Sequence, residues 1–176
     1  MEQMSHTQEP VTALVITVSD RAAGGTREDR SGPRLVDLLR DAGYEVTGPR
    51  VVSDGRAPVR AALTDAIAER FRMVLTTGGT GVSPRDYTPE ATRDLVTREL
   101  VGVAEHLRRE GALHTPLAAL SRGMVGVADA ADSDALGTVG TLLVNLPGSV
   151  KGVEQSTRAL LPLLPHILDQ IVGWDH

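Results

Sequence analysis

The sequence predicts an α/β fold of three layers, a doubly wound and mostly parallel sheet with helices on both faces, and three observations predict it. Apolar runs at 13–19, 44–52, 72–76, 124–128 and 141–145 recur along the chain, and most are followed by segments with helical spacing. Ala13 to Ser19 is continuous in β-branched and aliphatic residues, as a strand covered on both faces requires. Polar, glycine-bearing stretches follow the runs, and in doubly wound sheets ligands bind outside the carboxyl ends of the strands.

Residues 1–10 are polar and aperiodic and read as a mobile tail, with a single domain over 11–176. After the first strand, Asp20 to Arg30 reads as a loop carrying Gly24-Gly25. Ser31 then reads as the cap of a helix with Pro33 in its first turn and Leu35, Leu38, Leu39 and Ala42 on one face. Gly43 ends it in the position just beyond the last turn. Tyr44 to Val52 is strand two, and Ser53-Asp54-Gly55 turns into a helix carrying Val59, Ala62, Leu63, Ala66 and Ile67. Arg72 to Thr76 is strand three and runs into Thr77-Gly78-Gly79-Thr80-Gly81 and Pro84-Arg85-Asp86-Tyr87. Thr88 reads as the cap of a helix from Pro89 to about Leu100, and a further helix spans Val101 to Gly111. His114 to Leu120 is an unassigned connector. Met124–Ala128 and Thr141–Asn145 read as short strands that pair like a hairpin across a polar excursion. Pro147-Gly148-Ser149 opens a long helix through Leu160, and Pro162 and Pro165 separate it from a final helix over His166–Val172.

Composition narrows the function. Hydrophobic residues at 41% with 23% charged are those of a folded globular chain of 176 residues. A net charge of −5, with arginines scattered singly and aromatics at 2%, argues against nucleic acid as a partner. No run approaches the ~18 apolar residues of a membrane span, and Met1 to Pro10 lacks the basic and apolar regions of a secretion signal. With Cys 0, disulfides, thiolate metal sites and cysteine nucleophiles are excluded, and the cytoplasm is the expected compartment.

The chemistry-bearing residues fall in the loops after the strands. Gly78, Gly79 and Gly81, with Thr77 and Thr80, either form a nest of main-chain N–H groups for a phosphate or simply shape the turn. The segment is neither a Walker loop nor a dinucleotide fingerprint. Asp54 and Asp86 lie in different loops of one sheet edge; they are either a carboxylate pair for Mg²⁺ beside a polyphosphate or turn formers. Lys151, the sole lysine, stands two residues after Ser149 where a helix begins, and reads as a phosphate contact or a plain surface residue. Asp20-Arg21 and Asp29-Arg30-Ser31 read as ligand contacts or loop ion pairs. His106, His114 and His166 lack metal-ligand spacing, and no G-x-S-x-G elbow is present.

Taken in order, Val18-Ser19-Asp20-Arg21, Asp29-Arg30-Ser31-Gly32, Thr76 to Ala91, Ser121-Arg122 and Asn145-Leu146-Pro147-Gly148-Ser149 resemble the MoaB/Mog family of molybdenum-cofactor biosynthesis proteins. The resemblance implies a molybdopterin-binding fold assembled as homo-trimers or hexamers. It also implies a reaction in which the terminal phosphate of molybdopterin attacks the α-phosphorus of Mg·ATP, pyrophosphate leaves, and adenylyl-molybdopterin passes to the metal-insertion enzyme of the same pathway. Asp54 and Asp86 stand where the family's two essential aspartates fall. Ser19, Asp20, Arg21, Asp29, Ser31, Gly32, Thr77 to Gly81, Pro147, Gly148, Ser149 and Lys151 are the substrate-binding residues this implies, with no tightly bound organic cofactor. Some members of the family bind pterin or protein without evident turnover, so a non-catalytic role is the alternative. The stretch 128–138 (ADAADSDALGT) is longer than the family's usual connection, which bears on the contacts between subunits.

Overall fold

A computed structural model of the chain describes residues 10–129 and 139–173. The N-terminal tail and most of the 128–138 stretch fall outside the described residues. Six strands form one sheet: β1 (Thr12–Val18), β2 (Glu45–Val52), β3 (Met73–Thr77), β4 (Arg98–Glu99), β5 (Val125–Ala128) and β6 (Thr141–Leu146). Their order is β2-β1-β3-β6-β5-β4. β2, β1, β3 and β6 run parallel, while β5 is antiparallel to β6 and to β4. The expected pairing of the two short strands is therefore present, as β5 and β6.

The helices are α1 (Asp20–Ala23), α2 (Ser31–Asp41), α3 (Arg56–Ala68), α4 (Thr88–Arg93), α5 (Val101–Ala112), α6 (Val150–Leu160) and α7 (Leu164–Ile171), with a 3-10 turn at Pro116–Leu120. Side chains alternate across each strand, so every central strand feeds two cores. Ala13, Val15, Met73, Leu75, Leu142 and Val144 face Leu35 and Leu39 of α2, Leu107 of α5, Val153 and Leu160 of α6 and Leu168 of α7. Leu14, Ile16, Val74 and Leu143 face Val59, Leu63 and Ala66 of α3 and Ala91 of α4. Burial on both faces explains why β1, β3 and β6 read as unbroken apolar runs.

Three local expectations are corrected. Ser31 does not cap α2: Asp29 does, its Oδ1 accepting the Gly32 N–H at 3.0 Å and its Oδ2 the Thr17 hydroxyl at 2.6 Å. Within the presumed loop after β1, Ser19 Oγ accepts the Ala22 N–H at 3.2 Å and starts the single turn of α1. The helix from Pro89 stops at Arg93, and Thr88 does not cap it, because its hydroxyl donates to Gly78 O at 2.9 Å. Beyond it the chain extends: Thr97 N–H donates to Val127 O and Leu100 N–H to Val125 O, making β4 the sheet edge. Gly126 permits this, since a Cβ there would lie 2.5 Å from Val96 Cγ1.

Candidate active site

The carboxyl ends of β1, β2, β3 and β6 lie on one edge, and the loops leaving them are tied together by side chains. Asp20 and Asp54 clasp each other: Asp20 N–H donates to Asp54 Oδ2 at 2.7 Å, and Asp54 N–H donates to Asp20 Oδ1 at 3.1 Å. Arg85 from the third loop ties the pair down, pairing with the Asp20 carboxylate and with the main-chain oxygen of Asp54. Its Nε meets Asp20 Oδ2 at 2.5 Å, and its Nη2 meets Asp20 Oδ1 at 3.0 Å and Asp54 O at 2.8 Å. The Arg85 hydrogen bond holds the Asp20 carboxyl below the usual carboxylate range.

The third loop is built on glycine for steric reasons. Gly78 has φ +102°, and a Cβ there would lie 2.2 Å from Val18 O; Gly79 has φ +66°, and a Cβ would lie 2.2 Å from the Thr88 hydroxyl. Gly78 N–H donates to Leu146 O at 3.1 Å, so that amide belongs to the scaffold and not to an anion nest. Asp86 closes the loop on itself, Oδ2 accepting the Ser83 N–H at 3.0 Å and its own N–H donating to Ser83 O at 3.0 Å. Asp54 and Asp86 are thus each oriented through Oδ2, by the Asp20 N–H and the Ser83 N–H, with carboxylate acceptor capacity left over for a cation.

Arg122 is a part of the site that sequence reasoning missed. Its Nε donates to Gly81 O at 2.8 Å, its Nη2 donates to Asp86 O at 2.7 Å, and its Nη1 is ion-paired with Glu90. Burial pushes the Glu90 carboxyl up, but the bond and charge of Arg122 outweigh it, and the group sits below its ordinary value. Depressed carboxylates contribute stability that is complete above the unfolded-state value and is lost as pH falls through the lower folded value. Glu90 and Asp20 should therefore hold their loops from pH 7 down to about 5 and release them progressively below about pH 4. Melting temperature followed against pH checks this: the acid limb should be shallower in Arg85→Gln, and an unchanged limb would contradict it.

Beneath the loops lies a closed polar network. Asn145, 4% exposed, donates through Nδ2 to Thr76 Oγ1 at 3.1 Å and Thr92 Oγ1 at 2.9 Å, and accepts the Met124 N–H through Oδ1 at 3.2 Å. Thr92 Oγ1 in turn donates to Thr88 O at 2.8 Å. Asn145→Ala would leave buried groups unpaired, with an expected loss of about 2–3 kcal/mol in denaturant unfolding. A loss under half a kilocalorie would mean that the network is dispensable.

The sixth strand's loop crosses the third. Thr77 Oγ1 donates to Pro147 O at 2.8 Å, and a Cβ on Gly148 would lie 3.2 Å from Gly78 Cα. Ser149 caps α6, its Oγ accepting the Gly152 N–H at 3.1 Å. This crossing is a ridge between two cavities. One, of about 970 Å³, is charged and lined by Ser19, Asp20, Arg21, Asp29, Ser31, Asp54, Thr77, Arg85 and Asp86. The other, of about 670 Å³, is more apolar and lined by Ala104, Leu107, Leu117, Leu120 and Val125 together with Thr80, Gly81, Pro147 and Lys151. Gly78, Gly79, Asp86, Gly148 and Ser149 line both. Of the residues expected from sequence, Gly32 alone lines neither. It is buried where a Cβ would strike Thr17 Oγ1 at 2.2 Å and Asp29 Oδ2 at 2.4 Å.

Comparison with known proteins adds a family to this geometry. A family model described as "Probable molybdopterin binding domain" matches residues 14–166, which takes in most of β1, the other five strands and every loop of the ridge. The chain belongs to that family. Within it, the chain is 40% identical over 166 residues to the molybdenum cofactor biosynthesis bifunctional protein of Synechococcus elongatus, covering 94% of this chain and 49% of that protein. It is 32% identical over 165 residues to the molybdopterin adenylyltransferase of Helicobacter pylori, covering 90% of this chain and 86% of that one. A crystal structure of a molybdopterin biosynthesis protein from Mycobacterium abscessus superposes with a TM-score of 0.81 at 40% identity, over 92% of this chain and 96% of that one. The molybdopterin-binding fold expected from sequence is the fold found. The chain spans about half the length of the Synechococcus protein and 26% of the cinnamon protein of Drosophila melanogaster, to which it is 38% identical.

Proposed function

We propose that the chain adenylylates molybdopterin, with Mg·ATP as co-substrate. The observation that carries this reading is the shared rim of two cavities, each large enough for a small molecule, with Asp86 facing both. A transfer between two bound reactants needs such a meeting point, and the Helicobacter relative that bears the adenylyltransferase name supports the same chemistry. In the step, an oxygen of the molybdopterin phosphate forms a bond to the α-phosphorus of ATP, the bond between the α-phosphorus and its bridging oxygen breaks, and pyrophosphate leaves.

Such a step is governed by alignment and charge neutralisation more than by a protein nucleophile. The Gly79–Gly81 segment and the start of α6 at Ser149, with Lys151 two residues on, would orient anionic groups against the ridge. Asp54 and Asp86 would hold Mg²⁺. Among the described residues no group of three or more His, Cys, Asp or Glu is positioned to hold a metal, so a fully protein-ligated ion does not fit. Two hard carboxylates do fit an ion that completes its shell with water and phosphate oxygens. When bound, that ion would offset the charge developing on the transferred and leaving phosphates.

The same reading puts the protein in the cytoplasm, as a homo-oligomer of three or six subunits that passes its product to the metal-insertion enzyme. No helix among the described residues is long and apolar enough to cross a membrane. Exposed Val82 and Leu113 are apolar surface that a subunit contact would cover. Incubation with molybdopterin and Mg·ATP tests the reaction: adenylyl-molybdopterin and pyrophosphate should appear in equal amounts. Tight pterin binding by folded protein with neither product would instead favour the non-catalytic role.

A further inference from the structure

The 80–90 segment presents Asp86 to both cavities, yet the bonds Asp86 makes for itself are confined to the four-residue turn from Ser83, whose neighbour Val82 is 72% exposed. A turn closed only on itself can pivot as a unit. Beyond the Thr88 bonds to Gly78 O and Gly79 O that follow it, two arginines hold it, and they are arranged alike. Arg85 is anchored on the Asp20 carboxylate and donates to the main-chain carbonyl of Asp54. Arg122 is anchored on the Glu90 carboxylate and donates to the main-chain carbonyl of Asp86. Each candidate catalytic aspartate thus has its own carbonyl held by a guanidinium that is itself held by a different acid.

The two differ in what else they can touch. Arg85 lines the charged cavity, whereas neither Arg122 nor Glu90 lines either cavity. Arg122 holds four points along one segment: its N–H donates to Thr80 O at 2.8 Å, its side chain donates to Gly81 O and Asp86 O, and its charge meets Glu90 at the start of α4. Bridging two carbonyls and a carboxylate at once requires the planar, five-donor fork of arginine; a lysine ammonium is a point charge and reaches one of them well.

We infer that Arg122 is the positioning residue for Asp86, setting its carboxylate at the junction of the two cavities from outside both. The inference rests on the adenylyl-transfer reading, and on Asp86 acting in it. Its placement predicts a specific signature. Loss of the strut should lower the chemical step and leave reactant binding nearly intact, because no ligand contact is removed. The loss should also vanish once Asp86 has no charge to position.

The experiment measures single-turnover transfer of α-phosphate label from Mg·ATP to molybdopterin, alongside melting temperature and the KM for Mg·ATP. Arg122→Gln should lower the transfer rate about 10²-fold, the scale of a misplacement near 1 Å, with KM changed by less than about threefold. Arg122→Lys should recover little of it. In an Asp86→Asn background, Arg122→Gln should lower the remaining rate by less than about twofold, since residues acting as a unit are not additive. Glu90→Gln, which leaves the guanidinium in place but weakens its anchor, should show a smaller loss with the same dependence on Asp86, and it carries the test if Arg122→Gln does not fold. Wild-type rates in Arg122→Gln, or an equal loss with and without the Asp86 charge, would overturn the inference and leave the transfer reading standing. An Asp86→Asn protein as fast as wild type would instead remove the reading on which it rests.

Discussion

Asp86→Ala should lower adenylyl transfer by about 10²–10³-fold, the scale of losing one group that holds the charge-neutralising ion against the reacting phosphates. Asp86→Asn separates the two things the residue does. An amide oxygen can still accept the Ser83 N–H that closes the turn, so the loop should keep its shape while the charge is lost. Both variants should therefore be slow, with the melting temperature of the asparagine form close to wild type. Asp54→Ala should be slow as well, and somewhat less stable, because Asp54 Oδ2 also receives the Asp20 N–H at the head of α1. Rates for all three within about threefold of wild type would contradict a shared role in handling the reacting phosphates.

Gly78→Ala should be the most damaging single methyl group in the molecule. The position combines φ +102° with a main-chain oxygen 2.2 Å from where the Cβ would stand, and Val18 O belongs to the end of a central strand that cannot yield cheaply. An expected cost of about 4 kcal/mol lies at the severe end for point substitutions and would lower the melting temperature by roughly 10 °C. Gly25→Ala is the matched comparison. It also has positive φ, +72°, but nothing lies within 4 Å of its Cβ position, so backbone strain alone should cost about 1 kcal/mol. Equal losses at the two positions would show that the close crossing of β1 by the third loop is not what requires glycine.

The long-range plan of the fold was legible because it depends on unmistakable patterns. Unbroken apolar runs belong to β1, β3 and β6, which are covered on both faces, and Gly43 at φ +92° does end α2 where the sequence placed the break. The loops carrying Asp20, Asp54, Asp86 and Ser149 do line one cavity, as the alternation of strands and helices led us to expect. What was hidden depended on partners distant in sequence. Thr88 looks like a cap before Pro89, but its hydroxyl is claimed by Gly78 O, which only the folded chain brings near. The helix after Pro89 ends early because Val96 and Thr97, β-branched and poor helix formers, are captured by β5 next to the side-chain-free Gly126. Those two residues were the available signal. Ser121-Arg122 stood out as part of the family pattern, yet nothing in the sequence indicates that Arg122 reaches back to Gly81, Asp86 and Glu90.

The most direct measurement is the anomalous scattering of Mn²⁺ in crystals grown with a non-hydrolysable ATP analogue. A metal peak bound jointly by Asp54 and Asp86, with the α-phosphate against the Gly78–Gly148 ridge, is the predicted result. Nucleotide bound with its metal elsewhere, and neither carboxylate touching the ion or a phosphate, would contradict it.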